Sequence, residues 1–287
     1  MKKILLSVIA TLFFTAANAD VIGQSLSKAS EKISEYTIGL IPGEGHTEAS
    51  IDLREDSKPN YSILAVRELL KLDSGNIFTQ MSLFNTEHAN EEKIIGNFGL
   101  GIRKLSDDKN ILAGFNAFID NDFTETNRRA SLGLELRNSV IDFHTNVYQG
   151  LQDSEDERVL DGWEYRLAGQ VPYLHWSKVF INHYEWDGVL RDDIEGTKYG
   201  SDMILTNSLD LELAYDDKSK KGLEDEWYAK FRFVHPPRNN GPSAKDGIAK
   251  NAWKENKDMT GELLSKVKRN NKIMIEFKGT ATISRTD

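Results

Sequence analysis

The chain has 287 residues and no cysteine, with 28% charged and 39% hydrophobic side chains, enough for one large domain or two small ones. Thirty-six basic against forty-five acidic side chains leave a net charge of −9, which is no footprint for a polyanion and removes the electrostatic warrant for nucleic-acid binding. The missing cysteines exclude disulfide frameworks, thiolate metal sites and cysteine nucleophiles.

The first element is a targeting segment. Met1-Lys2-Lys3 is a basic start, Ile4 to Ala17 is mostly apolar, and Ala17-Asn18-Ala19 supplies the small-x-small pattern read before Asp20, which together predict a signal peptide over residues 1–19. Its removal leaves thirty-four basic and forty-five acidic side chains, −11. No other window is apolar for 18 continuous residues, so any later membrane insertion must use strands. Residues 20–49 read as a short periplasmic segment with one helix, Ser25 to Tyr36, carrying Leu26, Ile33 and Tyr36.

From Ser50 to Val234 the pattern turns to period two, the signature of strands with two unlike faces. In chain order the expected strands are Ser50 to Glu55, Tyr61 to Arg67, Ile77 to Phe84, Asn97 to Arg103, Ile111 to Phe118, Leu132 to Arg137, Ile141 to Tyr148, Trp163 to Ala168, Lys178 to Trp186, Thr197 to Ile204, Leu209 to Tyr215 and Trp227 to Phe233. Turn-rich polar stretches, among them Ser106 to Asn110, Asp153 to Asp161 and Asp216 to Glu226, separate them and read as loops. Twelve strands, an even number, suit a bacterial barrel.

The same alternation serves a soluble sandwich, with the apolar stripe as core, or an outer-membrane barrel, with that stripe on lipid and the polar stripe in the lumen. Three features favour the barrel. They are the export signal, the ring residues Trp163, Tyr165, Trp176, Trp186, Tyr199, Trp227 and Tyr228 near strand ends, and a mixed-sign inner set of Glu135, Arg137, Glu164, Arg166, Asp210, Glu212, Lys230 and Arg232. On that assignment Leu134→Arg impairs assembly and Glu135→Gln is tolerated. The mean hydropathy of −0.49 is then an average over a lipid face, a polar lumen and charged loops.

Beyond Val234, Pro236 and Pro237 end the last strand because neither can donate to a ladder. Ser243 with Asp246 is a helix start, and Ile248, Met259, Leu263 and Val267 make a partial apolar stripe from Lys245 to Lys268. A helix of that length reaches about 36 Å, more than a barrel's apolar band of roughly 25 Å.

Three ordered blocks resemble the β-barrel domain of the inverse autotransporters, the intimin and invasin group. They are Gly114 to Phe123 with Asn127 to Arg137, Asp156 to Arg158 with Gly162 to Tyr173 and Tyr184 to Gly188, and Lys268 to Phe277. The resemblance implies an all-β fold, a 12-stranded antiparallel transmembrane barrel at 50–234. It also implies a linker, helical or extended, threading the pore at 235–278 toward a C-terminal passenger; in a departure from that pattern, only a tail at 279–287 with no sizeable passenger is expected to follow. It implies outer-membrane lipid, the barrel-assembly machinery and periplasmic chaperones as partners. Small outer-membrane porin and secreted soluble sandwich remain as the other two readings.

Nothing in the sequence asks for catalysis, a cofactor or a metal. Asp142 with His144, and His183 with Glu185, share strand faces, but residues two apart lie nearly 7 Å from each other along a strand, so both pairs read as lumen-lining polar residues. Gly99-Leu100-Gly101 lacks the helix a phosphate loop needs, and the acidic runs Asp153 to Glu157 and Glu224 to Glu226 lack calcium-loop spacing and read as solvated turns. Asn60-Tyr61-Ser62 fits a glycosylation sequon without meaning in a bacterial barrel.

Overall fold

The computed structural model describes residue 32 and residues 43–278 apart from 56–57, 89–90, 219–223, 240 and 256. Twelve antiparallel strands close into a barrel: β1 (Gly45–Arg54), β2 (Asn60–Leu72), β3 (Gly75–His88), β4 (Glu91–Leu105), β5 (Leu112–Asp122), β6 (Arg128–Arg137), β7 (Ile141–Gln152), β9 (Gly162–Val171), β10 (Leu174–Trp186), β11 (Ile194–Thr206), β12 (Leu209–Lys218) and β13 (Glu226–His235). Two short strands, β8 (Glu157–Val159) and β14 (Ile275–Phe277), pair with each other in a separate ribbon. Wall strands pair with their neighbours in the chain, β7 reaches β9 across the β8 loop, and β13 closes on β1 from Thr47↔His235 to Arg54↔Tyr228. Closure satisfies the edges that an open sheet would expose to lipid.

The pleat sorts side chains as the alternation predicts. Phe98, Leu100, Phe115, Leu132, Leu134 and Val147 point outward and stand about half exposed on the bare protein, whereas Asn97, Asn116, Glu135 and Asn146 between them are buried inside. The connections at one end, residues 73–74, 106–111, 138–140, 172–173 and 207–208, average three residues, and those at the opposite end, residues 55–59, 89–90, 123–127, 153–161, 187–193 and 219–225, average about six. Short turns mark the periplasmic end of bacterial barrels and long loops the cell-surface end, so β1 starts, and β13 finishes, on the periplasmic side.

Several expectations need correction. The wall starts at Gly45 and not at Ser50, and β4 starts at Glu91. The first extension is mostly polar and the second sets Ile94 beside Ile95 out of alternation, so what holds them is ladder pairing with β2, β13 and β3. Trp186 and Tyr228 are not belt residues; they are buried on the lumen side, because Trp186 is even-numbered on a strand whose even positions Phe180, Asn182 and Tyr184 face inward. Asp153 to Asp161 is not all loop, since it contains β8. Among the described residues, the expected helix from Lys245 to Lys268 is replaced by irregular chain with two single 3-10 turns, Ala244–Asp246 and Thr260–Glu262. The expected signal peptide and, but for Lys32, the helix from Ser25 to Tyr36 lie outside the described residues.

Candidate functional site: the lumen and the segment it holds

The glycines of the polar stripe shape the inner wall. Gly99 faces Phe118 and Gly101 faces Phe78 across the ladder, and each ring lies in the space a Cβ would fill. Gly200 with Phe180 and Gly196 with Tyr184 repeat the arrangement. Each ring thus lies flat on a neighbour's bare backbone and offers its other face to a cation: Arg103 over Phe78 at 4.2 Å, Arg269 over Phe118 at 4.3 Å, Arg166 over Phe180 at 3.4 Å and Lys198 over Tyr184 at 5.0 Å. A guanidinium over a ring keeps part of its stabilisation when desolvated. Gly101→Val should push Phe78 off the wall and misplace Arg103, costing about 1–3 kcal/mol of barrel stability; the urea midpoint of the folded barrel in detergent checks it.

After β13 the chain turns back into the barrel and runs its length. It enters at the periplasmic mouth, where Met259 N donates to Lys109 O at 2.9 Å and the Met259 side chain packs on Leu105 and Leu112. It leaves at the cell-surface mouth, where β14 pairs with β8 and Lys278 N donates to Asp156 O at 2.8 Å. In between, Val267 is buried among Leu64, Val66, Phe78 and Phe118.

The wall binds this segment through its backbone, and that is why no helix forms. Arg103 Nη1 donates to Leu263 O at 2.8 Å and Ser265 O at 2.5 Å. Asn146 donates to Lys268 O at 3.0 Å, Arg129 to Asn270 O at 2.8 Å and Asn97 to Asn271 O at 3.1 Å. The amides are met too: Val267 N donates to Gln80 Oε1 at 2.8 Å and Asn270 N to Glu164 Oε1 at 2.7 Å. An α-helix would spend these groups internally and leave the buried wall donors unmatched, at about 1–3 kcal/mol each.

Charge pairs lock the register from one mouth to the other. Glu262 meets Arg137 at 2.8 Å, Lys266 meets Glu48 at 2.6 Å and Lys268 meets Asp202 at 2.8 Å. Arg269 forms a bidentate pair with Asp120 at 2.9 and 2.7 Å, and Asp120 also holds Arg129. All three side chains of that triad are fully buried. At the surface mouth the Glu276 carboxylate accepts from the amides of Val189, Leu190 and Arg191 at 3.1, 2.9 and 3.2 Å, tying the loop of residues 187–193 to β14. Beside the segment, between Lys266 to Ile275 and the wall strands β1 to β3 and β9 to β13, lies a cavity of about 470 Å³ whose walls include Arg54, Lys230, Arg232, Glu212 and Glu226.

Most of the inner set expected from sequence is assembled as ion pairs, while Glu164 accepts from Asn146, Tyr148 and Asn182. Glu135 takes Arg103 at 2.6 Å, Arg166 takes Asp202 at 2.6 Å, and Arg232 takes Asp202 at 3.0 Å and Glu212 at 2.7 Å. Asp142 is held by Arg137 and Lys178, and His144 stands 3.8 Å from Glu135, so both line the lumen as expected. His183 does not; it is on the outer face, tilted against Trp163 and Tyr165 at 5.5 Å and joined to Thr197 at 3.0 Å, and Glu185 shares its face. Glu157 is no solvated turn either: it is buried against Lys93 at 2.5 Å and Asn127. With both oxygens on Arg103, Glu135 cannot be exchanged for Gln freely, contrary to the expectation of tolerance. Among the described residues, no three His, Asp or Glu side chains are placed to share a metal ion.

A closed wall with an apolar outer belt and a lumen filled by its own C-terminal segment defines an outer-membrane β-barrel of the self-threaded kind. The inverse autotransporter β-domain matches residues 15–271, and the chain belongs to that family. The attaching and effacing protein homolog of Escherichia coli (strain K12) is 26% identical over 160 residues, 53% of this chain and 52% of the relative; the chain spans about half the length of that relative. A chain solved in work on the in-meso crystallization of membrane proteins superposes with a TM-score of 0.61 at 18% identity, over 81% of this chain and 100% of the other, and has the same fold. The KdgM porin gives 0.46 at 4% identity, over 66% and 98%.

Proposed function

We propose that this barrel anchors and exports: the threaded segment carries the chain beyond Lys278 to the cell surface and then stays in place to hold it there. The observation that supports this most is direction. The segment enters at the mouth with the short turns and emerges at the mouth with the long loops, latched by β14 on β8. No chemical step is needed, and the paired lumen charges serve grip rather than catalysis.

Delivery to the membrane runs through cleavage after Ala19, with Asp20 as the mature N-terminus, followed by periplasmic chaperones and the barrel-assembly machinery. An epitope appended after Asp287 should be labelled on intact cells. Labelling only after permeabilisation would reject export through the pore.

A further inference from the structure

Before entering the pore, residues 244–255 and 257–258 cross the periplasmic rim, and nothing in anchoring or export requires what that stretch displays. It is docked on the turn between β9 and β10: Tyr173 N donates to Ala252 O at 2.9 Å, Ala249 N to Tyr173 O at 2.8 Å, and Trp176 Nε1 to Gly247 O at 2.9 Å, while His175 bonds Asn251 O at 2.9 Å. Lipid-facing Val179 is four residues beyond His175 on the same strand, about 13 Å along it, so the stretch lies at the level where the apolar belt gives way to headgroups.

At that level it presents Ile248, 78% exposed, and Trp253, 48% exposed, next to equally exposed Tyr173. Its charges are sorted. Asp246 accepts from Ser243 N at 2.7 Å, Glu255 accepts from Asn251, and Asp258 accepts from Thr260 N at 2.8 Å, so its acids are turned onto local donors. Lys245, Lys250, Lys254 and Lys257 have no carboxylate within 4.0 Å among the described residues. Aromatic and apolar side chains at headgroup depth together with unpaired lysines are the chemistry that holds an interfacial segment on an anionic leaflet.

We propose that residues 244–255 with 257–258 form an interfacial strap on the periplasmic leaflet, with Ile248 and Trp253 entering the headgroup region and the four lysines meeting anionic phospholipid. The strap fixes the point from which the threaded segment enters the pore.

Because the chain has no cysteine, Ile248→Cys gives a single labelling site for a polarity-sensitive dye. The full chain is refolded into phosphatidylcholine vesicles with and without phosphatidylglycerol. The dye should be quenched by brominated lipid, and iodide quenching should fall severalfold when phosphatidylglycerol is present. With the four lysines changed to glutamine, that dependence should disappear while the heat-dependent gel shift of the folded barrel is retained. Full iodide access in both mixtures would overturn the strap, and lipid quenching that ignores phosphatidylglycerol would overturn its charge recognition. A dye shielded from lipid and iodide alike would mean that another part of the chain covers the patch, and would also overturn it.

Discussion

Replacing Asp120 with alanine should destabilise the folded barrel by about 3–5 kcal/mol, the range for breaking a buried ion pair and leaving its partner uncompensated. Two guanidiniums depend on that one carboxylate, Arg129 from the wall and Arg269 from the threaded segment, and none of the three reaches solvent. Asn97, which also donates to Asp120 at 2.7 Å, loses an acceptor in the same step. Urea unfolding in vesicles or detergent, followed by the heat-dependent gel shift, reads the loss.

Arg269→Met separates the two roles of the triad. It leaves Asp120 with Arg129 and retains an apolar stem over Phe118, so the wall should unfold close to wild type while the threaded segment becomes accessible to added protease. Since the residues share one network, the two substitutions should not add. An Asp120→Ala variant as stable as wild type would mean that the triad is not buried in the folded protein.

Leu134→Arg should cost about 2–4 kcal/mol through a wholly different cause, a basic side chain placed on the lipid face. Leu134 stands on β6 between Phe115 and Thr145 of the adjacent strands, pointing out and 55% exposed on the bare protein. The penalty belongs to the bilayer, so it should be large for insertion into vesicles and shrink in detergent micelles that can adapt around the charge. Its neighbour Glu135 faces inward, and Glu135→Gln should cost about 1–3 kcal/mol in either medium because Arg103 loses a charge-assisted acceptor. An equal response of both variants to the change of medium would contradict the assignment of faces.

The wall was legible because period two is a local property. Phe98, Leu100 and Ile102 alternate with glycine and polar residues whatever the rest of the chain does, and the weak strand from Thr197 to Ile204 is present as β11. What was not legible depends on partners distant in sequence. The partial stripe of Ile248, Met259, Leu263 and Val267 suggests a helix to local reading. Arg103, Arg129, Asn97 and Asn146, more than a hundred residues away, instead claim the carbonyls. Likewise β8 is three residues in an acidic run, and it is a strand because β14 and Lys93 meet it.

Ring residues show the same limit. Trp186 and Tyr228 near strand ends look like belt residues until the parity of their strands is applied, and parity places them in the lumen. A usable signal was present in Gly99 and Gly101: glycines on the polar stripe, with Phe118 on the polar stripe of one neighbouring strand and Phe78 on that of the other, mark where rings lie on the inner wall.

The central claim is that the C-terminal segment fills the pore, and single-channel conductance in a planar bilayer tests it most directly. A chain ending at His235 should form a barrel that passes current many times larger than the full chain, because the contacts from Met259 to Lys278 are gone while the twelve wall strands are intact. Equal currents from the two chains would contradict the threaded lumen.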